Sequence, residues 1–200
     1  MRLVYTSDMH GNALMYEQLL ALALDRRADA VIVGGDLLPR AIRLDEAVAT
    51  QRAFVGAQLR PMLEGFRAAG GGAVYLLAGN DDWAAAVAAL HDLERAGLAW
   101  PLHNRVYALE GGLHLAGYGC VPITPFSIKD YERRDTGDLP PYSFAMAYVS
   151  AGADIPLRTS AAALAALPPT AEALGALAAQ RDPARPVYVC HVPPPATPLD

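Results

Sequence analysis

Asp8 and His10 stand two residues apart in Thr6-Ser7-Asp8-Met9-His10-Gly11-Asn12, directly after the apolar run Leu3-Val4-Tyr5. A carboxylate and an imidazole that close together can share a metal ion or move a proton. One such pair decides little, since a turn aspartate beside a surface histidine looks the same. The pattern recurs along the chain. Asp36 follows Gly34-Gly35 after a second apolar run, Asn80-Asp81-Asp82 follow Gly79 after a third, and His191 follows Val187-Tyr188-Val189-Cys190. Carboxylate oxygen, imidazole nitrogen and amide oxygen, with no thiolate among them, suit Mn, Fe, Zn or Co rather than a soft-metal site. A carboxylate delivered from the middle of a sheet can bridge two ions about 3.5–4 Å apart, an arrangement that clamps a phosphate.

Such groups meet only if each apolar run is a strand that ends on a common edge, where sites of open α/β sheets assemble. Residues 2–7, 29–34, 73–78 and 187–190 read as those strands. Residues 12–27 carry apolar positions at helical spacing, with Asn12 as a cap and Arg26-Arg27 at the far end. The stretch 45–69 keeps one apolar side through Val48, Phe54, Val55, Leu59, Leu63 and Phe66, with Pro61 as an expected kink. A short helix is expected over 83–97, and two strands around Gly111-Gly112 over 105–119. Residues 122–158, rich in Pro, Tyr, Arg and Asp, read as a loop insertion. Residues 159–180 read as helix broken at Pro168-Pro169, and the tail after His191 cannot continue as a helix or a central strand. The alternation predicts one α/β domain over 1–200, with a largely parallel sheet and a mixed or second sheet.

Composition narrows the classes. The chain has 200 residues, of which 53% are apolar, enough for a sizeable core. A net charge of −5, with Lys129 the one lysine, argues against a nucleic-acid surface and leaves no polybasic run for anionic lipid. Cys120 and Cys190 lie in apolar contexts without CxxC spacing and read as buried thiols. No apolar run approaches about 18 residues, and the N-terminal one is too short for a signal-peptide core. The expectation is a soluble, cytoplasmic protein with no membrane partner.

Taken in order, Asp8-Met9-His10, Gly35-Asp36, Gly79-Asn80-Asp81 and His191 resemble the successive motifs of the calcineurin-like metallophosphoesterases: DxH, GD, GN followed by His or another residue, a lone His, then GHxH. The resemblance runs through residues 1–195. It implies two facing mixed β-sheets flanked by α-helices. It also implies that Asp8 and His10 hold one divalent metal (Mn, Fe or Zn), that Asp36 bridges to a second, and that Asn80 and His191 hold that second ion. The implied reaction is hydrolysis of a phosphomonoester or phosphodiester substrate by a metal-bridging hydroxide attacking phosphorus in line.

Two departures from the family pattern matter. Asp81 stands where the family often has a His that assists the leaving group. As a catalytic acid, a carboxylate needs a raised pKa. No GHxH is present, and the nine residues after His191 include four prolines. The expectation is therefore a fold without its C-terminal part. It would hold at most one ion firmly, at Asp8, His10 and Asp36, and hydrolyse phosphoesters poorly. An uncovered sheet edge would invite a homo-oligomer.

Arg40, just past Asp36, is either a substrate-phosphate ligand or a solvated side chain. His91, His103 and His114 match no motif and read as surface or structural. The rival function is a catalytically impaired protein-binding scaffold on the same fold. Asp81 and the absent motif favour it. The five earlier ligands oppose it, because a pure scaffold gains little from carboxylates clustered beside histidine.

Overall fold

The computed structural model describes residues 1–135, 138–150, 152, 154–180 and 186–192. Its first half alternates strand and helix: β1 (Leu3–Thr6), α1 (Ala13–Asp25), β2 (Ala30–Gly34), α2 (Ala47–Phe54), α3 (Arg60–Ala68), β3 (Ala73–Leu77), α4 (Ala84–Val87), α5 (Leu90–Arg95) and β4 (Trp100–Pro101). The strands form one parallel sheet in the order β1-β2-β3-β4, with Leu3 opposite Ala30 and Ala30 opposite Ala73. The chain continues through β5 (Arg105–Ala108), β6 (His114–Tyr118), β7 (Val121–Pro122), β8 (Glu132–Arg133), β9 (Tyr148–Val149), β10 (Leu157–Arg158), α6 (Ala161–Ala165), α7 (Thr170–Ala178) and β11 (Pro186–Cys190). A second, mixed sheet has the order β11-β6-β5. The antiparallel β5–β6 hairpin turns at Glu110–Gly112, and β11 runs parallel to β6.

Side-chain alternation explains why the sheets stack. On β2 and β3, Val31, Val33, Val74 and Leu76 face a core shared with Leu19 and Leu20 of α1, Phe54 of α2 and Leu63 of α3. Their neighbours Ala30, Ile32, Tyr75 and Leu77 face Leu115 and Val189 of the second sheet. With a period of two, one strand feeds both cores. Beyond the second sheet, Ala116 and Tyr118 pack on Leu177 of α7. The result is helix, sheet, sheet, helix: the facing sheets that the motif resemblance implied.

Three expectations need correction. The helix of residues 45–69 is interrupted by a π-type turn at Val55–Leu59, and Pro61 sits in the first turn of α3. A proline ring clashes with the carbonyl four residues back, here Ala57, so the widening falls N-terminal to the proline. Residues 83–97 form two short helices rather than one. The described part of residues 122–158 holds short strands within the expected loop: β7 pairs with β8, and β9 with β10. That segment also buries charge. Lys129 Nζ donates to Glu132 Oε2 at 2.6 Å and to the Thr124 carbonyl at 2.9 Å, while the Thr124 N–H donates to the same carboxylate at 3.0 Å. The chain's one lysine therefore lies in the interior.

Residues 161–178 reach a mean hydropathy of 1.3. They divide into α6 and α7 at the Pro168-Pro169 break, and each piece is far shorter than the ~20 residues that span a bilayer. Cys120 is buried and Cys190 half-buried, and both are free thiols. The expected non-helical tail from 193 to 200 lies outside the described residues. Among the described residues β11 has β6 as its one strand neighbour, so its other edge is open.

Candidate metal centre

The parallel order carries the loops after β1, β2 and β3 to one edge, and β11 brings His191 there from the second sheet. The backbone in these loops is unusual. Asp8, His10 and Asp36 have φ of 58°, 45° and 51°, and the other described non-glycine residues with positive φ are Arg27 and Asn104. Such conformations cost free energy and persist only where their surroundings hold them. Here a ladder of main-chain bonds does so. The N–H groups of Asp8, His10 and Gly11 donate to the carbonyls of Gly35, Asp36 and Leu37 at 3.0, 2.8 and 2.9 Å. Glycine makes room between the loops. A Cβ on Gly35 would overlap the His191 ring, and one on Gly79 would strike the Asp36 carboxylate and lie 2.7 Å from His191 Nε2.

Asp8, His10 and Asp36 each offer one ligand atom, and these atoms lie within 4.8 Å of one another. His10 Nε2 is 3.7 Å from Asp36 Oδ2, and His191 Nε2 is 3.2 Å from Asp36 Oδ1. Asp36 thus presents one oxygen to each imidazole. Burial raises the Asp36 pKa, but the hydrogen bonds from His191 and from the Asp81 N–H, with the histidine charges, outweigh it and hold the carboxyl below its usual range. The same contact works against burial at His191 and leaves that imidazole above its ordinary value.

Two observations test whether these groups fit a divalent cation. His191 Nδ1 lies 3.0 Å from the Gly34 carbonyl, which can only accept, so this nitrogen carries the proton. Nε2 then donates to Asp36 Oδ1 when the ring is charged, and when the ring is neutral it presents a lone pair to that oxygen, two acceptors that a cation between them would relieve. A histidine fixed through its far nitrogen to a backbone carbonyl is how proteins orient metal-binding imidazoles. His10 turns Nε2 to Asp36, and its other nitrogen, buried without a hydrogen-bond partner, lies 3.7 Å from Asp81 Oδ2. The oxygen and nitrogen donors fit.

Asn80 lies on the same edge, and its side-chain amide donates to Asp81 Oδ1 at 3.4 Å. Arg40 sits on Asp81: Nε donates to Oδ2 at 2.6 Å, and a terminal guanidinium nitrogen joins the same oxygen. Arg40 is therefore solvent-exposed and paired at once. It offsets a carboxylate that would otherwise repel a phosphate, though the guanidinium is largely exposed and the pair contributes modestly to stability.

Two residues that position this edge were not read from the sequence. Asp82, fully buried, accepts from the N–H groups of Leu37, Leu38 and Gly79 at 3.0, 2.9 and 2.9 Å, clamping the loop after β2 to the loop after β3. Burial pushes its carboxyl up to about 7 against those donors, with Asp36 adding to the rise. Gln51 of α2 donates to the Asp81 carbonyl at 2.9 Å and accepts from the Trp83 N–H at 2.8 Å. A signal existed for Gln51. It lies three residues from both Val48 and Phe54, a polar side chain on the apolar face of a helix.

The family described as calcineurin-like phosphoesterase matches residues 1–144. The chain belongs to that family. Its members are generally metal-dependent hydrolases, and Asp8, His10 and Asp36 form the candidate metal group here. Among solved structures the fold is similar to TT1561 of Thermus thermophilus, with a TM-score of 0.57 and 19% identity over 99% of this chain and 70% of that one. A second solved structure is similar at a TM-score of 0.52 and 16% identity, over 99% of this chain and 73% of the other. No curated protein matches significantly.

Proposed function

We propose that this calcineurin-like chain is a phosphoesterase that hydrolyses phosphomonoesters or phosphodiesters, with Mn, Fe or Zn as its cofactor. The observation that carries the reading is the meeting of Asp8, His10, Asp36 and His191 from two loops of one sheet and a strand of another, with the first three in left-handed backbone conformations. Asp8, His10 and Asp36 would hold one ion, while Asn80 and His191 would share a second with Asp36. A bound divalent ion supplies Lewis acidity and lowers the pKa of water. The chain's own groups do the rest. The Gly34 carbonyl keeps His191 in the tautomer that presents Nε2. Gln51 and Asp82 hold the Asn80-Asp81 turn against Asp36. Arg40 offsets the charge of Asp81 on the side from which a phosphate would approach.

The test is Mn titration by calorimetry together with hydrolysis of bis(p-nitrophenyl) phosphate, in the wild type, Asp36→Ala and His191→Ala. Because Asp36 would serve both ions, Asp36→Ala is expected to abolish binding and turnover, whereas His191→Ala retains one ion. Metal retained equally in the two variants would refute the shared role of Asp36. Tight metal binding without turnover would favour the scaffold reading instead.

A further inference from the structure

A cleft of about 390 Å³ opens beside the metal-ligand loops, with Asn80 and Asp81 forming one of its walls. That volume lies in the range of small-molecule sites. The loop after Asp36 and the start of the 122–158 segment also line it, contributing Ile42 and Phe126. Ile42 is 104% exposed and Phe126 63% exposed. A single apolar side chain in water is ordinary. Two from loops more than eighty residues apart line one cavity, together with Trp83.

The charges around this cleft are engaged. Arg40 is paired with Asp81, and Arg43 donates to Asp45 from Nε at 3.1 Å and from a terminal nitrogen at 2.6 Å, with Glu46 a further 3.3 Å neighbour. Both guanidiniums stay largely exposed, so the walls combine apolar surface with charge that is only partly offset. The segment that carries Phe126 is also held in place. Asp130, on the same segment, accepts from the Ala84 N–H at 2.8 Å and from the Ser150 hydroxyl at 2.5 Å, which ties it to the start of α4 just past Asp81.

We infer that this cleft is the subsite for the ester group of the substrate, and that Phe126 and Ile42 select a large apolar or aryl group over a small alkyl. The inference rests on the phosphoesterase reading for what lies at the metal end. Its own content is the preference set by two exposed side chains. The cavity's continuity with Asn80 and Asp81 gives the occupant its direction: phosphorus towards Asp36, the ester group towards Phe126.

Phenylphosphonate and methylphosphonate carry the same headgroup on a P–C bond that resists hydrolysis, so their affinities compare the phenyl and methyl groups that stand in for the ester group. Titrate both by calorimetry into the full chain, with and without Mn, for the wild type, Phe126→Ser, Ile42→Ser and the double variant. Both positions are exposed, so these substitutions leave the core intact. The wild type is expected to prefer phenyl by about tenfold, the scale of one ring partly removed from water. The double variant is expected to fall below about threefold, with the single variants between. Tyr188→Ser, an exposed aromatic on β11, is expected to keep the full ratio. An unchanged ratio in the double variant, an equal loss in Tyr188→Ser, or no binding of either phosphonate would overturn the inference. A phenyl preference that needs Phe126 but ignores Mn would uphold the subsite while removing the metal-dependent reading.

Discussion

His103 is a base that the fold keeps neutral, and this makes stability depend on pH. Its ring lies between Tyr118 and Tyr131, with centroids 5.7 and 5.1 Å away, and Nδ1 accepts from the Gly119 N–H at 3.0 Å. Burial, with the Arg133 charge adding, pushes its pKa down from 6.5 to about 4. A proton on Nδ1 would also break the Gly119 bond. The unfolded chain therefore takes up a proton that the folded chain refuses. The stability this protects is complete above the unfolded value and is lost as pH falls from about 6.5 towards about 4. Between pH 7.5 and 5.0 the loss from this one group is about 2 kcal/mol, or roughly 4–8 °C in melting temperature for a chain of this size. The assay is urea unfolding at both pH values for the wild type and His103→Gln, which keeps an acceptor for Gly119 without titrating. Taking the difference between the two proteins cancels the other groups that titrate in the window. The wild-type advantage over His103→Gln should shrink by about 2 kcal/mol on acidification. A change below about 0.5 kcal/mol would refute the reasoning.

Three further outcomes follow from the geometry. Gly79→Ala, whose Cβ would strike Asp36 and His191, should cost about 1–3 kcal/mol of stability and lose metal binding in calorimetry, whereas Gly65→Ala, with open space around it, should keep its metal affinity. Gln51→Leu leaves the Trp83 N–H and the Asp81 carbonyl without this partner. It should lower stability by about 2–4 kcal/mol in chemical denaturation, and a loss below 0.5 would mean that solvent replaces the amide. Lys129→Met strands a buried Glu132 carboxylate and should cost about 3–5 kcal/mol, while Lys129→Met with Glu132→Gln should recover a good part of it, as a thermal-melt double-mutant cycle can measure.

The strand ends and their ligands were legible in the sequence because the signals are short-range. An apolar run followed by Gly and a ligand type names its own strand and its own turn. The parallel order then follows from alternation with helices, so Asp8, His10, Asp36 and Asn80 could be expected on one edge before any distance was known; His191, expected there too, arrives instead on β11 of the second sheet, which that alternation does not give. The hairpin around Gly111-Gly112 and the Asn12 cap were local in the same way: Asn12 Oδ1 accepts from the Met15 N–H at 3.2 Å.

Tertiary structure decided what depends on groups far apart in the chain. Arg40 meets Asp81 across 41 residues, and Asp82 reaches Leu37 across 45, so neither partner announces the other. Asp81 and Asp82 are the same residue type at adjacent positions. Only the fold turns one to the guanidinium beside the cleft and the other into the interior, where three N–H groups meet it. Residues 122–158 read as a loop insertion because Pro, Tyr, Arg and Asp interrupt the apolar rhythm there. Their one lysine is interior because Glu132 and the Thr124 carbonyl satisfy its ammonium, a compensation that composition cannot display. The positive φ of Asp8, His10 and Asp36 left no mark on the sequence either, since aspartate and histidine tolerate that region without requiring it. What holds them there is the main-chain ladder between the loops after β1 and β2, and it exists only once the two strands are paired.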